Sequence, residues 1–240
     1  MDTATTIERS LTRDILRGHY AAGSRLPTLR ELGLAFSVNP STMQRVIAAL
    51  EARGLVTARQ GSGLRVNDPR EVGDLSLIPL WIEATLDDPA RATSLLEELL
   101  ELRRAVAVRL IVRHRQRLLD ALPTLGGALD GALRATQTGA GAMREADLAF
   151  ARALVAATGN TVALTVFNAV ASAVVEVPSV AEAMYADPAA NVASLMEVVQ
   201  AIQGGCDDLA DVVEGAIAKV DARTVARFDA SLRSQTGAFA

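Results

Sequence analysis

The chain has 240 residues, enough for one large domain or two of ordinary size. Half of it is apolar but only 3% is aromatic, so a core has to be built from Ala, Leu, Val and Ile. Cys206 is the sole cysteine, which excludes a disulfide framework and a thiolate zinc site. No apolar run is long enough for a membrane span, and the first residues lack the apolar stretch of a signal peptide, so a cytoplasmic protein is expected.

The net charge of −4 is unevenly spread. Residues 1–70 hold ten Arg against six Asp or Glu, a local +4, which leaves −8 for residues 71–240. A basic small domain on an acidic larger one is the footprint of a nucleic-acid-binding segment joined to a second body.

In chain order, Thr5-x-x-Glu8 has the form of a capping box, and Ile7, Leu11 and Ile15 recur at helical spacing up to Gly18. Ala21–Ser24 reads as a turn. Thr28-x-x-Glu31 is a second capping box, opening a short helix from Leu29 to about Phe36. Asn39 as N-cap and Pro40 at the first helical position start a third helix, with Met43, Val46, Ile47 and Leu50 on its apolar face and Gly54 at its end. Then the period changes. Leu55–Arg59 and Leu64–Val66 read as two short strands around Gln60-Gly61-Ser62-Gly63. Three helices followed by a hairpin is the order of a winged helix-turn-helix.

After the linker-like 67–73, helices are expected over 75–86, 89–122, 123–136, 143–158, 160–176, 189–204, 206–220 and 222–233. Leu95, Leu96, Leu99, Leu102 and Val106 mark the apolar face of the second of these. Val174–Val177 is the one stretch with strand character, and it has no partner. The predicted fold class is mainly α: a winged helix-turn-helix over residues 1–68, a linker at 69–76, and an all-helical bundle over 77–240.

A recognition helix presents short polar or cationic groups at its N-terminal end to the major groove. Here these are Ser41, Thr42, Gln44 and Arg45. Gln reads adenine bidentately, and Arg reads guanine or takes phosphate. Arg30 lies on the preceding helix, placed to cross the backbone. Arg59, Gln60, Gly61, Ser62 and Gly63 form a glycine-rich wing able to approach the minor groove, with Arg65 beside it. In Val112–Arg117, around His114, the arginines read mainly as a solvated face, with phosphate or a helix dipole as the other roles.

The runs Gly23–Leu32, Val38–Thr42, Leu50–Val56 and Gly61–Gly63 resemble the DNA-binding domain of the GntR family of bacterial regulators over residues 6–66. The resemblance implies a homodimer on a short inverted repeat of double-stranded DNA, usually tuned by a small-molecule effector. It also implies a repressor or an activator rather than an enzyme, with no cofactor and no membrane. Pro40 and Gln44 stand where FadR-type members carry operator-reading arginines, so that branch's half-site does not transfer. The family's aminotransferase-like branch needs a Schiff-base lysine in a longer chain, and the only lysine here is Lys219.

Residues 74–220 resemble the helical FCD domain of the FadR branch, through Leu95–Arg104, Glu145–Ala151 and Ala157–Asn160. Many FCD domains hold a divalent metal on one Asp and three His. In this chain Asp147 remains, Ala151 stands in place of the first His, and Leu195 and Ile217 fall at the other two. No His follows His114. The resemblance therefore implies no metal site, and an apolar effector pocket at Asp147, Ala151, Leu195 and Ile217, with Arg103 facing inward for a carboxylate. The alternative is a ligand-independent regulator whose helical domain only dimerises.

Overall fold

The computed structural model describes residues 2–59, 63–204 and 208–237. The first helix, α1 (Thr3–Leu16), buries Ile7, Leu11 and Ile15, as the spacing predicts. It begins at Asp2 rather than Thr5. The expected box at Thr5 does not form, because Glu8 instead accepts from Arg53 Nε at 2.7 Å.

The second box forms fully. At the start of α2 (Leu29–Ala35), Thr28 N–H donates to Glu31 Oε2 at 2.7 Å, and Glu31 N–H donates to Thr28 Oγ1 at 3.3 Å. α3 (Pro40–Ala52) is capped by Asn39, whose Oδ1 accepts from Thr42 N–H at 2.8 Å. Between them the chain turns through Ser37 at φ 54, while Val38 N–H donates to Gly33 C=O at 2.9 Å. Met43, Val46, Ile47 and Leu50 are all buried.

Strands β1 (Val56–Arg59) and β2 (Gly63–Val66) pair antiparallel, with Val56 opposite Val66. The stretch from the end of the expected turn to Leu26 hydrogen-bonds to β2 through an isolated bridge. Leu26 N–H donates to Leu64 C=O at 3.0 Å, and Val66 N–H to Ser24 C=O at 3.0 Å.

The stretch expected as a linker contains one helical turn, α4 (Pro69–Val72), capped by Asp68. A 3₁₀ turn over Leu75–Leu77 runs into α5 (Ile78–Ala84). Leu77, Leu80 and Ala84 are buried in the same cluster as Leu11, Met43 and Leu55. Arg17 Nε donates to Ala84 C=O at 2.6 Å. Helix α5 is therefore part of the first unit's core, and that unit runs to Leu86 instead of closing at residue 68. The physical reason is in the residues: Leu77, Leu80, Ile82 and Ala84 are too apolar to remain on a solvated connector.

The second unit, Asp87–Ala240, is helical throughout its described residues. α6 (Pro89–Arg113) stops at His114 and is followed by α7 (Arg115–Asp120) and α8 (Leu122–Ala135), where one helix to 122 is expected from sequence. Arg115 and Arg117 reach the ends of neighbouring helices. Arg115 Nη2 donates to Gln203 C=O at 3.2 Å and Arg117 Nη1 to Thr158 C=O at 2.6 Å, each a cation at a helix C-terminal carbonyl.

Next come α9 (Ala140–Ala157), α10 (Thr161–Glu176), α11 (Pro178–Met184), α12 (Pro188–Gly204) and α13 (Leu209–Gly237). Val174–Glu176 close α10 rather than forming a strand, and α11 goes unread in the sequence. The two helices expected at 206–220 and 222–233 are a single helix, since no Gly or Pro interrupts Val220-Asp221-Ala222. Leu110, Ile111, Leu118, Phe150, Leu154, Ile202 and Val213 form the central cluster. On α6 the buried face is Leu96, Leu99 and Leu100, while Leu102 and Val106 stay 56% and 41% exposed.

Candidate nucleic-acid interface

Helix α3 turns its apolar side inward and leaves Ser41, Gln44 and Arg45 exposed on the opposite side. That division follows from the 3.6-residue period: the four buried positions occupy one stripe, and residues 41, 44, 45 and 48 fall on the other. Thr42 is half-buried, and its amide is occupied by the Asn39 cap. Arg30 is exposed in the first turn of α2.

Arg45 is not idle. Its Nη2 donates to Asp2 Oδ2 at 2.8 Å, between side chains 66% and 52% exposed. Sequence spacing gave no sign of this pair, because the partners are 43 positions apart.

In the wing, Gly63 is exposed at φ +75, a left-handed conformation that glycine adopts without penalty, with nothing within 4 Å of where a Cβ would stand. Arg65 on β2 is half-buried and bridges to Arg25, which is exposed. Gln60, Gly61 and Ser62 lie outside the described residues, and for Arg59 only the backbone at the end of β1 is described.

The helical unit carries a second polar constellation. Asp221, on α13, is 5% exposed and held by two arginines of α6. Arg103 Nη2 donates to one oxygen, and Arg104 Nη1 donates to the other at 2.8 Å. The Nε of Arg103 is buried without a partner. Asp147, on α9, accepts from the Tyr185 hydroxyl at 2.9 Å. Burial pushes the Asp147 carboxyl above its ordinary range, opposed by the Arg103 guanidinium and by the Tyr185 hydrogen bond. Burial and the Asp147 carboxylate push the Tyr185 phenol up as well.

The candidate effector residues thus include a polar group. Asp147 sits among Tyr185 and Arg103, and Arg103 spends its end group on Asp221. Ala151 is half-buried, one turn along α9 from Asp147. Leu195 and Ile217 pack against the central apolar cluster. These residues do not fit the divalent metal that many FCD domains hold: Ala151, Leu195 and Ile217 carry no ligating atom, and the Asp147 carboxylate takes a phenolic hydrogen bond. Two signals for this constellation were in the sequence. Tyr185 is one of only two tyrosines, and Asp221 interrupts the buried stripe Val213, Ala216, Thr224, Phe228.

Three helices and a hairpin, with a polar exposed face on the third helix, define a winged helix-turn-helix on a helical body. The family comparisons agree. The profile of bacterial regulatory proteins of the gntR family matches residues 3–66. The FCD domain profile matches residues 94–213, half of the chain. The chain belongs to the GntR family of bacterial transcriptional regulators and carries an FCD domain.

The HTH-type transcriptional regulator Rv0494 of Mycobacterium tuberculosis is 32% identical over 159 residues, spanning 65% of this chain and 60% of that protein. The fatty acid metabolism regulator protein of Vibrio cholerae is 32% identical over 96 residues, 40% of this chain and 33% of that protein. The chain thus spans less than two thirds of the length of these relatives. A solved structure described by the words "Lar controls the expression of the Listeria monocytogenes agr system and mediates virulence" has the same fold, with a TM-score of 0.55 at 16% identity over 95% of this chain and 97% of that one.

Proposed function

We propose that the chain acts as a homodimer on an inverted-repeat operator, inserting α3 of each protomer into the major groove. The carrying observation is the exposed face of Ser41, Gln44 and Arg45 on a capped helix whose other face is locked in the core. Gln44 reads adenine, Arg45 reads guanine, Ser41 and Thr42 hold phosphate, and Arg30 meets the flanking backbone. The wing, Arg59 to Gly63, lies along the neighbouring minor groove. With Pro40 and Gln44 in place of the operator-reading arginines, the FadR-type half-site does not carry over, and the FCD domain supports a reading of the chain as FadR-like.

The test is binding of the full chain to a duplex selected from a randomised pool. Arg45→Ala is expected to weaken that binding by about 1–3 kcal/mol, the worth of one base contact. Unchanged affinity in Arg45→Ala, together with unchanged affinity in a Gly61 variant, overturns the docking mode.

For the helical unit, the reading is a small effector of apolar body and acidic head, bound around Asp147, Ala151, Leu195 and Ile217 with its head toward Arg103. The buried, unpartnered Nε of Arg103 supports it. A second reading, a body that only dimerises, is supported by the mutual satisfaction of Asp221 with Arg103 and Arg104 and of Asp147 with Tyr185. Thermal shift with medium- and long-chain fatty acids separates them. A raised melting temperature together with altered operator affinity supports the sensor, and neither change supports the second reading.

A further inference from the structure

Asp2 occupies the N-cap of α1 in the extended conformation usual for that position, yet its side chain makes no capping hydrogen bond. An N-cap aspartate ordinarily accepts from the first-turn N–H groups, which have no partner within the helix. Here the carboxylate is turned away to Arg45 Nη2, on the exposed face of α3. The chain forgoes a local cap to hold a cation at the front of the recognition helix.

Resting on the docking mode proposed above, we infer that Asp2 determines specificity, by withholding Arg45 from phosphate and yielding it only to a guanine edge. A guanidinium has five N–H donors. With one of them on Asp2, two others remain for the O6 and N7 acceptors of guanine, so Arg45 reads this base without leaving the carboxylate. A phosphate offers no such division. It carries its own negative charge, and approach to Arg45 brings it against Asp2, a like-charge penalty levied at every non-specific site. Asp2 therefore lowers affinity for DNA of any sequence more than it lowers affinity for the operator. It acts as negative selection through one exposed pair.

The test compares the full chain with Asp2→Asn on the selected duplex and on a shuffled duplex of the same composition, across a salt series. Asparagine keeps the N-cap competence of Asp2, so the fold is preserved and only the charge is lost. Asp2→Asn is expected to tighten the shuffled duplex about two- to fivefold, the scale of one exposed ion pair, and the selected duplex by clearly less. The salt slope on shuffled DNA steepens by about 0.9, one further phosphate contact. The Asp2→Asn effect vanishes in an Arg45→Ala background.

Equal tightening on both duplexes, or an undiminished effect in Arg45→Ala, overturns the inference. If Arg45→Ala itself leaves the selected duplex unaffected, Arg45 makes no base contact and the role of Asp2 falls with it; if a Gly61 variant is also without effect, the docking mode itself has failed. If Arg45→Ala weakens binding but Asp2→Asn does not change the ratio between duplexes, only the role of Asp2 is refuted.

Discussion

Single side chains set the electrostatics of the helical unit. Asp147 has a carboxyl held above its ordinary value of 3.8 by burial. The folded state thus binds its proton more tightly than the unfolded chain does. The contribution to stability is full below the unfolded value and is lost as pH rises through the raised folded value, so at neutral pH the ionised group is a cost. Asp147→Asn cannot ionise and still accepts the Tyr185 hydrogen bond. It is expected to be more stable than the native protein at pH 7, with an advantage that shrinks as pH falls toward 4, read from denaturant melts. An advantage independent of pH contradicts this. Removing the Asp221 side chain breaks an ion-paired cluster: Asp221→Ala leaves Arg103 and Arg104 without their carboxylate and is expected to cost about 3–5 kcal/mol in the same measurement. Neither pairing could be read from spacing, because each joins helices far apart in sequence, whereas Thr28–Glu31 and Asn39–Pro40 were legible at once because capping acts within one turn.

Helices and turns were legible wherever a local signal decided them and misread wherever packing did. Gly54 ends α3 as the sequence predicts, at φ 73. α13 runs without a break because a continuous buried stripe, Val213 through Leu232, holds it against α6 and α11. Ser37 is the one described non-glycine residue at positive φ, in the turn of the helix-turn-helix. Ser37→Gly relieves that strain and is expected to raise stability by up to about 1 kcal/mol, after the added freedom of the unfolded chain is subtracted, measured by chemical denaturation. At Gly159, φ is +70 and a Cβ would lie 2.5 Å from Arg117 Nη1, which caps the end of α9. Gly159→Ala is expected to destabilise by roughly 1–2 kcal/mol or more, since backbone strain and a displaced cap add.

As a whole the molecule divides after Leu86, with a separate apolar cluster in each unit. A fragment ending at Leu86 keeps Leu77, Leu80 and Ala84 on the first core, and one ending at residue 68 loses them. The shorter fragment is expected to be less stable by about 3–6 kcal/mol, from two leucines at about 1.5–3 kcal/mol each. Thermal melts of the two fragments check this. A polar 67–74 looks like the end of a domain in the sequence, and only tertiary packing shows that Leu77, Leu80 and Ala84 return to the core that α1 lines. That return has a spectroscopic consequence. Trp81, the only tryptophan, rides on α5 and packs against the first cluster. Its fluorescence therefore reports on the packing of the winged-helix unit, while far-ultraviolet ellipticity is dominated by the helices from α6 to α13. Recorded in one denaturant titration, the two signals give each unit its own unfolding curve without cutting the chain or attaching a label.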